Sequence, residues 1–400
     1  MNVLVVNTGS SSLKFQLLAV GGGARRLARG VIERIGGEAV LRLDADGVGA
    51  SKAPVAAGDH VEAVGGALAA LRRMLGDTPI DAVGHRIVHG GARFVAPTVL
   101  DDGVLAELDA LGRLAPLHNG PGIAVARACR RLVDPRVPMV AVFDTAFHAG
   151  LPAAASTYAI PRELAARHGI RRYGFHGISY RYVTARYAAL AGVPVDAATL
   201  IAFHLGNGCS IAAIARGRSV ETSMGFTPLE GLVMGTRSGD VDPAIVAYLA
   251  GAEGVSAAEV ERWLNERSGL AGLAGGSRDV RDLVARADGD ADARLAVDVF
   301  CHRARKYLGA YMAVLGGAPA VVFTGGIGEH QPEIRRRICE RMEWCGLALD
   351  AGRNDAAVGV EASIAAPGAA VRALVVPTDE ERVIACEVAE HLGRPARAGR

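Results

Sequence analysis

Short apolar runs, each closed by a polar tip, recur along the chain. VLVV ends at Asn7, MVAVF at Asp144, LIAF at His204 and Asn207, AVVF at Thr324 through Glu329, and ALVVPT at Asp379 through Glu381. Runs of this kind read as buried strands, and the polar residues then fall at the carboxyl ends of the strands, where open α/β sheets bind ligands. Two stretches repeat one pattern: VLVVNTGSSSLKF at 3–15 and LIAFHLGNGCSIAAI at 200–214. Each is an apolar strand, a tight polar turn containing Gly and a second, alternating strand, the signature of a β-hairpin. Two copies predict two similar domains. Tips built of Asn, Gly and Ser present backbone N–H groups and short hydroxyls that can approach an anion closely.

The remaining pattern predicts strands near 39–43, 82–88 and 137–143, with helices near 60–75, 101–111 and 123–132, a three-layer α/β arrangement. After a loop at 150–156 the same program restarts. Helices are expected near 178–190, 243–250 and 290–315, and strands near 320–323 and 373–376. A helix after Asp379 is placed to pack back on the first domain, and the boundary near residue 150 reads as a hinge because no long linker separates the halves.

Composition narrows the classes. With 400 residues, 50% hydrophobic and 22% charged, the chain suits a globular protein of two domains. A formal charge of +2 and the absence of a basic run leave nothing for nucleic acid, and Arg335, Arg336 and Arg337 read as a solvated helix face. No uninterrupted apolar stretch is long enough to span a bilayer, and the N-terminus lacks an export pattern, so a cytoplasmic protein with no membrane partner is expected. The six cysteines show neither C-x-x-C nor zinc spacing and are expected as reduced thiols. Only three lysines occur, and Lys14 directly follows the first hairpin tip.

The usual nucleotide signatures are missing. There is no Walker-type loop, and GGIG at 325–328 does not complete a dinucleotide fingerprint. GGIGEHQPEIRRRI instead suggests a glycine turn lying flat against a nucleotide, then a helix whose N-terminus can face an anion. The string ETSMGFTPLEGLVMGTRSGDVDP at 221–243 is too rich in Gly, Thr and Ser for a helix, and long ordered loops are usually functional. Arg237 lies near its end. Arg86, in AVGHRIVHGG, sits in an apolar setting where an unpaired guanidinium would be costly; a bound carboxylate or phosphate, or a buried Arg–Asp pair, resolves that cost. Of the histidines in short apolar or glycine-containing strings, His89, His118, His148 and His176, each alone reads as structural. Asp144 and His148 could form a metal arm, but no cluster completes it. A hard Mg²⁺ held by few protein oxygens suits Asp144, Glu380 and the polar hairpin better.

The segments VNTGSSSLKF, GHRIVHGG, APLHN, FDTAFH, RRYGFHG, HLGNG, ETSMGFTPLEGLVMGTRSGDVDP, FTGGIGEH and PTDEE run, from residue 3 to 381, in the order expected of the acetate kinase family, which the chain closely resembles. The resemblance implies a duplicated ribonuclease H-like, actin-like α/β fold with a cleft between two domains: 1–149 plus 378–400, and a nucleotide-binding domain at 150–377. It implies a homodimer that transfers a phosphoryl group reversibly between ATP and acetate, giving acetyl phosphate and ADP, with Mg²⁺ as the metal and Mn²⁺ as a possible substitute for it. Asn7 and Glu380 would hold the metal, and Lys14 would approach the nucleotide phosphates. Arg86 and Arg237 would engage the carboxylate and the transferring group, with His176 stabilising the transition state and Asp144 near the acetate. Val88, Leu117, Phe175 and Pro228 would wall the methyl pocket. His204, Leu205, Gly206, Asn207 and Gly208, with Asp279, Val280 and Arg281 and with Gly326, Ile327, Gly328, Glu329 and His330, would form the nucleotide site. Propionate kinases share most of these motifs, so a longer acyl chain is the alternative.

The chemistry suits these residue types independently of the resemblance. A carboxylate is already a nucleophile at neutral pH, so catalysis reduces to aligning two anions and neutralising charge on the transferring group. The sequence departs from the family pattern at Arg278, at His330, where Asn is usual, and at Gly120, where Pro is common.

Overall fold

The computed structural model describes residues 1–9, 11–112 and 116–393, with backbone alone at 116–118. The chain divides into two compact units, Met1–Ala146 with the chain from Asp379 onward, and Phe147–Thr378.

The first unit is built on eight strands: β1 (Asn2–Thr8), β2 (Ser12–Val20), β3 (Ala24–Glu33), β4 (Val40–Ala45), β5 (Gly49–Pro54), β6 (Ala82–Ile87), β7 (Thr98–Val99) and β8 (Met139–Phe143), in the spatial order β5-β4-β3-β2-β1-β6-β8-β7. Val3, Leu4, Val5 and Val6 are all at most 2% exposed. A strand apolar on both faces belongs in the middle of a covered sheet, and β1 does lie between antiparallel β2 and parallel β6. The helices His60–Leu75 and Pro116–Leu132 contribute to one core with Leu4, Val6, Val83 and Phe143. Asp59 caps the first of them by accepting the N–H groups of Val61 and Glu62. The helix Glu380–Gly393 packs on the other side of β6. There a Cβ at Gly84 would stand 2.7 Å from Ile384 Cγ2, which is why β6 carries Gly at that point.

The second unit holds β9 (Leu200–Leu205), β10 (Cys209–Ala215), β11 (Arg218–Thr222), β12 (Ala320–Thr324), β13 (Ala362–Ser363) and β14 (Arg372–Val375), ordered β11-β10-β9-β12-β14-β13. Its series β11-β10-β9-β12-β14 repeats β3-β2-β1-β6-β8 of the first unit. In both, an antiparallel meander is extended by two parallel strands on the far side of its first strand. The repeated hairpin of the sequence is therefore the seed of a repeated sheet. The long helix Ala291–Leu315 opens on Asp290, which accepts the N–H groups of Asp292 and Ala293, and closes on left-handed Gly316.

Four expectations change. β3 and β5 escape the hydrophobic pattern because ARRLARGVIE is crowded with arginine and GASKAP is exposed throughout, as an edge strand with Lys and Pro can be. The helix expected near 123–132 begins earlier, at Pro116, so that Asn119, Gly120 and Pro121 lie inside it. GGIGEH is not a flat turn but the helix Gly325–His330. Gly325 enters it at φ 77°, where a Cβ would stand 2.7 Å from the Leu205 carbonyl oxygen. Arg335 is not solvated: it is fully buried, while Arg336 and Arg337 pair with Glu333. All six cysteines are unpaired, and among the described residues no helix is long and apolar enough to cross a membrane.

Candidate functional site

In the first unit the ends of β1, β6 and β8 bring Asn7, Arg86 and Asp144 together. Arg86 grips Asp144 through Nη2 to Oδ2 at 2.5 Å and Nε to Oδ1 at 3.1 Å, and its Nη1 donates to Asn7 Oδ1 at 3.0 Å. The Asn7 amide nitrogen donates in turn to Glu381 Oε1 at 3.1 Å and Glu380 Oε2 at 3.4 Å. Burial by itself would lower the Arg86 pKa; the charges of Asp144 and Glu380 outweigh it and hold Arg86 firmly protonated. Burial, then the neighbouring Glu380, pushes the Glu381 carboxyl above its ordinary range. Lys14 stands opposite Asn7 in the β1–β2 register with an exposed side chain whose charge acts on Glu381.

Three carboxylates thus act on one part-buried guanidinium. The surplus is negative, and every candidate donor is a hard oxygen, a set that fits Mg²⁺. Among the described residues no group of three or more His, Cys, Asp or Glu could cage a metal unaided, so a metal here would keep most of its shell for phosphate and water. Val88 follows β6 and is partly exposed; the side chain of Leu117, like that of His118, lies outside the described residues. Asn119, which the sequence reading missed, is fully buried and ties helix Pro116–Leu132 to the turn after β6, exchanging 2.9 Å hydrogen bonds with the His89 N–H and carbonyl. Its only sequence signal was an Asn inside LHNG.

The second unit assembles His176, His204, the hairpin tip and the 221–243 loop. His176 is the N-cap of helix Gly177–Ala191 in the left-handed region, φ 57°, a conformation that a non-glycine residue keeps only when its surroundings impose it. Its ring stacks on His204 with centroids 4.1 Å apart, and Nδ1 lies 2.8 Å from Ser210 Oγ. A Cβ at Gly208 would stand 2.9 Å from Arg237 Nη2 and 3.4 Å from His176 Nε2, so both nitrogens bracket the glycine of the tip. Arg237 donates to the Pro228 carbonyl at 2.7 Å, and among the described residues it forms no ion pair. Burial lowers its pKa without a carboxylate to offset the cost. Phe175 is buried, its carbonyl held by His148 Nε2 at 3.0 Å. Burial drops the His148 pKa to about 4, which makes it a structural imidazole.

The loop is braced from behind. Glu230 binds Arg172 at 2.6 Å and accepts the Tyr158 hydroxyl, whose oxygen accepts the Phe226 N–H at 2.8 Å. The fit is so close that a Cβ at Gly225 would overlap both the Glu230 carboxylate and the Tyr158 oxygen. None of Tyr158, Arg172 and Glu230 stood out in the sequence.

The nucleotide candidates fall into two groups. Leu205 and Val280 are buried, and Asn207 is exposed with its carbonyl accepting the Gly235 N–H at 3.1 Å. Gly206 closes the hairpin tip on the Gly208 carbonyl. Across the end of the parallel β9–β12 pair, Gly326 and His330 are exposed and Ile327 is partly so. Glu329 is already used: its Oε1 accepts the N–H groups of Gly325 at 2.8 Å and Thr378 at 3.1 Å, so it shapes the turn. Arg335 fixes the same turn by donating to the carbonyls of Gly328, Asn354 and Ala357 and to Asn354 Oδ1. Asp279 and Arg281 bind each other at 2.8 Å, and none of their hydrogen bonds reaches the other candidates.

Residues 2–386 match the model of the acetokinase family. The chain belongs to the acetokinase family. An acetate kinase of Solibacter usitatus (strain Ellin6076) is 49% identical, the alignment covering 96% of this chain and 97% of that protein. The crystal structure of Porphyromonas gingivalis acetate kinase superposes with a TM-score of 0.89 at 40% identity, over 98% of this chain and 99% of that one. A propionate kinase from Francisella tularensis superposes at 0.90 with 38% identity, over 96% and 98%. As an acetokinase-family member with this fold, the chain is a phosphotransferase.

Proposed function

We propose that the chain transfers a phosphoryl group reversibly and in line between ATP and acetate. The observation that carries the reading is Arg237, a guanidinium without a carboxylate partner among the described residues, set beside His176 at the hairpin tip. Such a cation is stabilised by an incoming anion.

In the forward direction an acetate oxygen attacks the γ-phosphorus, the bond to the β–γ bridging oxygen breaks, and its electron pair leaves with ADP. No proton has to be removed, because the nucleophile is already ionised. Arg237 and His176 donate to the oxygens of the transferring group, where charge is redistributed in the transition state. Arg86, held by Asp144 and Asn7, orients the acetate carboxylate. Val88, Leu117, Phe175 and Pro228 supply the apolar wall for its methyl group. Lys14, the 204–208 tip, the 326–330 helix and 279–281 are assigned to the nucleotide. Asn7 and Glu380 would hold Mg²⁺, which when bound neutralises phosphate charge.

The chain is proposed to work in the cytoplasm, a setting that suits six unpaired thiols, and as a homodimer. The apolar helix Ala244–Glu253 supports the dimer: it has no buried residue, with Tyr248 74% and Ile245 39% exposed. A second copy would cover it.

Hydroxylamine trapping of the acyl phosphate made from ATP with acetate, propionate and butyrate in parallel tests the substrate. Acetate is expected to give the highest kcat/KM. The likeness to a solved propionate kinase makes propionate the second reading, and a propionate advantage above about tenfold, within what one methylene can supply, would establish it.

A further inference from the structure

Behind His176 stands a hydroxyl pair to which the proposed chemistry gives no role. Tyr180, on helix Gly177–Ala191, and Ser210, on β10, are both fully buried. Ser210 Oγ lies 2.5 Å from the Tyr180 oxygen and 2.8 Å from His176 Nδ1. The Tyr180 ring is fixed by Phe147 and His148 at centroid separations of 6.4 and 5.6 Å.

Buried hydroxyl hydrogens need acceptors, and the count here leaves one arrangement. Among the described residues the Tyr180 hydroxyl finds a single acceptor for its own hydrogen, Ser210 Oγ. The Ser210 hydrogen then points to His176 Nδ1, which must offer a lone pair. The ring proton of His176 is left on Nε2, the nitrogen on the Gly208 and Arg237 side. If His176 instead carried a proton on Nδ1, as the other tautomer or as an imidazolium, it would donate to Ser210. Ser210 would donate to Tyr180, and the Tyr180 hydrogen would be stranded in an apolar setting.

We infer that Tyr180 and Ser210 are positioning residues that lock His176 as the neutral Nε2–H tautomer, so that it acts as a hydrogen-bond donor to the transferring phosphoryl group and not as a base or a second cation. The inference rests on the role proposed above for His176. It explains why an imidazole can stand beside the unpaired Arg237 guanidinium without adding like charge. The left-handed backbone at His176 and the stack on His204, whose Nδ1 is 2.9 Å from Ser179 Oγ, stop the ring from turning away.

The test is nitrogen-15 NMR of the full chain labelled at histidine, with the His176 signals assigned by their loss in His176→Gln. The expected spectrum has Nδ1 unprotonated and Nε2 protonated, and Tyr180→Phe and Ser210→Ala redistribute the proton. In both variants kcat should fall about tenfold, the effect of one lost hydrogen bond, while KM for acetate and ATP holds within about twofold. A parent spectrum with the proton on Nδ1 overturns the inference without any variant, and so do two folded variants that keep both the tautomer and kcat. Undiminished turnover in His176→Gln would instead remove the role of His176, an outcome separate from the tautomer measurement.

Discussion

Arg86 and Asp144 meet as a two-pronged ion pair, Nη2 to Oδ2 at 2.5 Å and Nε to Oδ1 at 3.1 Å, with the carboxylate side chain 1% and the guanidinium 18% exposed. The pair is shared: the remaining Nη1 reaches Asn7 Oδ1. Without Asp144 the guanidinium loses the one carboxylate that hydrogen-bonds to it and keeps only the more distant Glu380, 4.0 Å away. Asp144→Ala is therefore expected to destabilise the chain by about 3–5 kcal/mol as well as abolish turnover. Urea unfolding is the check, and an unchanged midpoint would show that the pair contributes nothing to folding.

Arg237 is the opposite case, a part-buried cation with no ion pair among the described residues. Arg237→Leu should lower kcat by about 10²–10³, the loss of one preorganised donor to the transition state. Its thermal midpoint should hold or rise, because an uncompensated part-buried charge has been removed. Near-parental turnover would remove Arg237 from the mechanism.

Acid should weaken the fold through His85. Its imidazole is 1% exposed, its Nε2 has no hydrogen-bond partner, and burial drops its pKa to about 4. The folded value lies below the unfolded one, so the unfolded chain takes up the proton first as pH falls. Stability is full above about pH 6.5 and is lost as pH falls towards about 4, by on the order of 3 kcal/mol for this residue. Urea midpoints for His85→Leu should show a smaller drop between pH 7 and pH 4.5 than the parent shows. An equal drop would place the acid sensitivity elsewhere, with His148 the next buried imidazole.

The Tyr158–Glu230–Arg172 brace holds Phe226 and, two residues on, the Pro228 whose carbonyl binds Arg237. Tyr158→Phe removes the hydroxyl and keeps the ring. Loss of a hydrogen bond to a charged group predicts a fall of about 10–100-fold in kcat/KM for acetate, with KM for ATP little changed. Equal losses for both substrates would mean general loosening and not a displaced substrate loop.

Tyr248→Asp places a charge in the middle of the exposed apolar helix Ala244–Glu253. Light scattering should report a dimer for the parent and a monomer for the variant. A dimer that survives the substitution would move the interface to another surface.

Much of the fold could be read because burial on both faces leaves a plain mark. VLVV, LIAF and AVVF are apolar at every position, and they are β1, β9 and β12, the strands that carry the polar tips. β3, an interior strand crowded with arginine, and the exposed edge strand β5 carry no such mark, because the backbone pairing that holds them leaves no hydrophobic period. The candidate site divides in the same way. Arg86, Asp144, His176 and Arg237 stand in motifs that resemble those of the acetokinase family, and that resemblance made them candidates. Asn119, Tyr158, Arg172, Glu230 and Arg335 were not, because their importance lies in contacts with residues far along the chain.

The sequence by itself determined the duplicated hairpin, the positions of the strand ends and the residue types available there, because hydrophobic period and turn chemistry are local. Only the tertiary structure decided how each charge is used. It gave Arg86 a carboxylate and left Arg237 without one, buried Arg335 among carbonyls, turned Glu329 inward on its own turn, and set Tyr180 and Ser210 behind His176. Those outcomes depend on which polar atoms remain unsatisfied once the core closes, a property of the packed chain that no local pattern records.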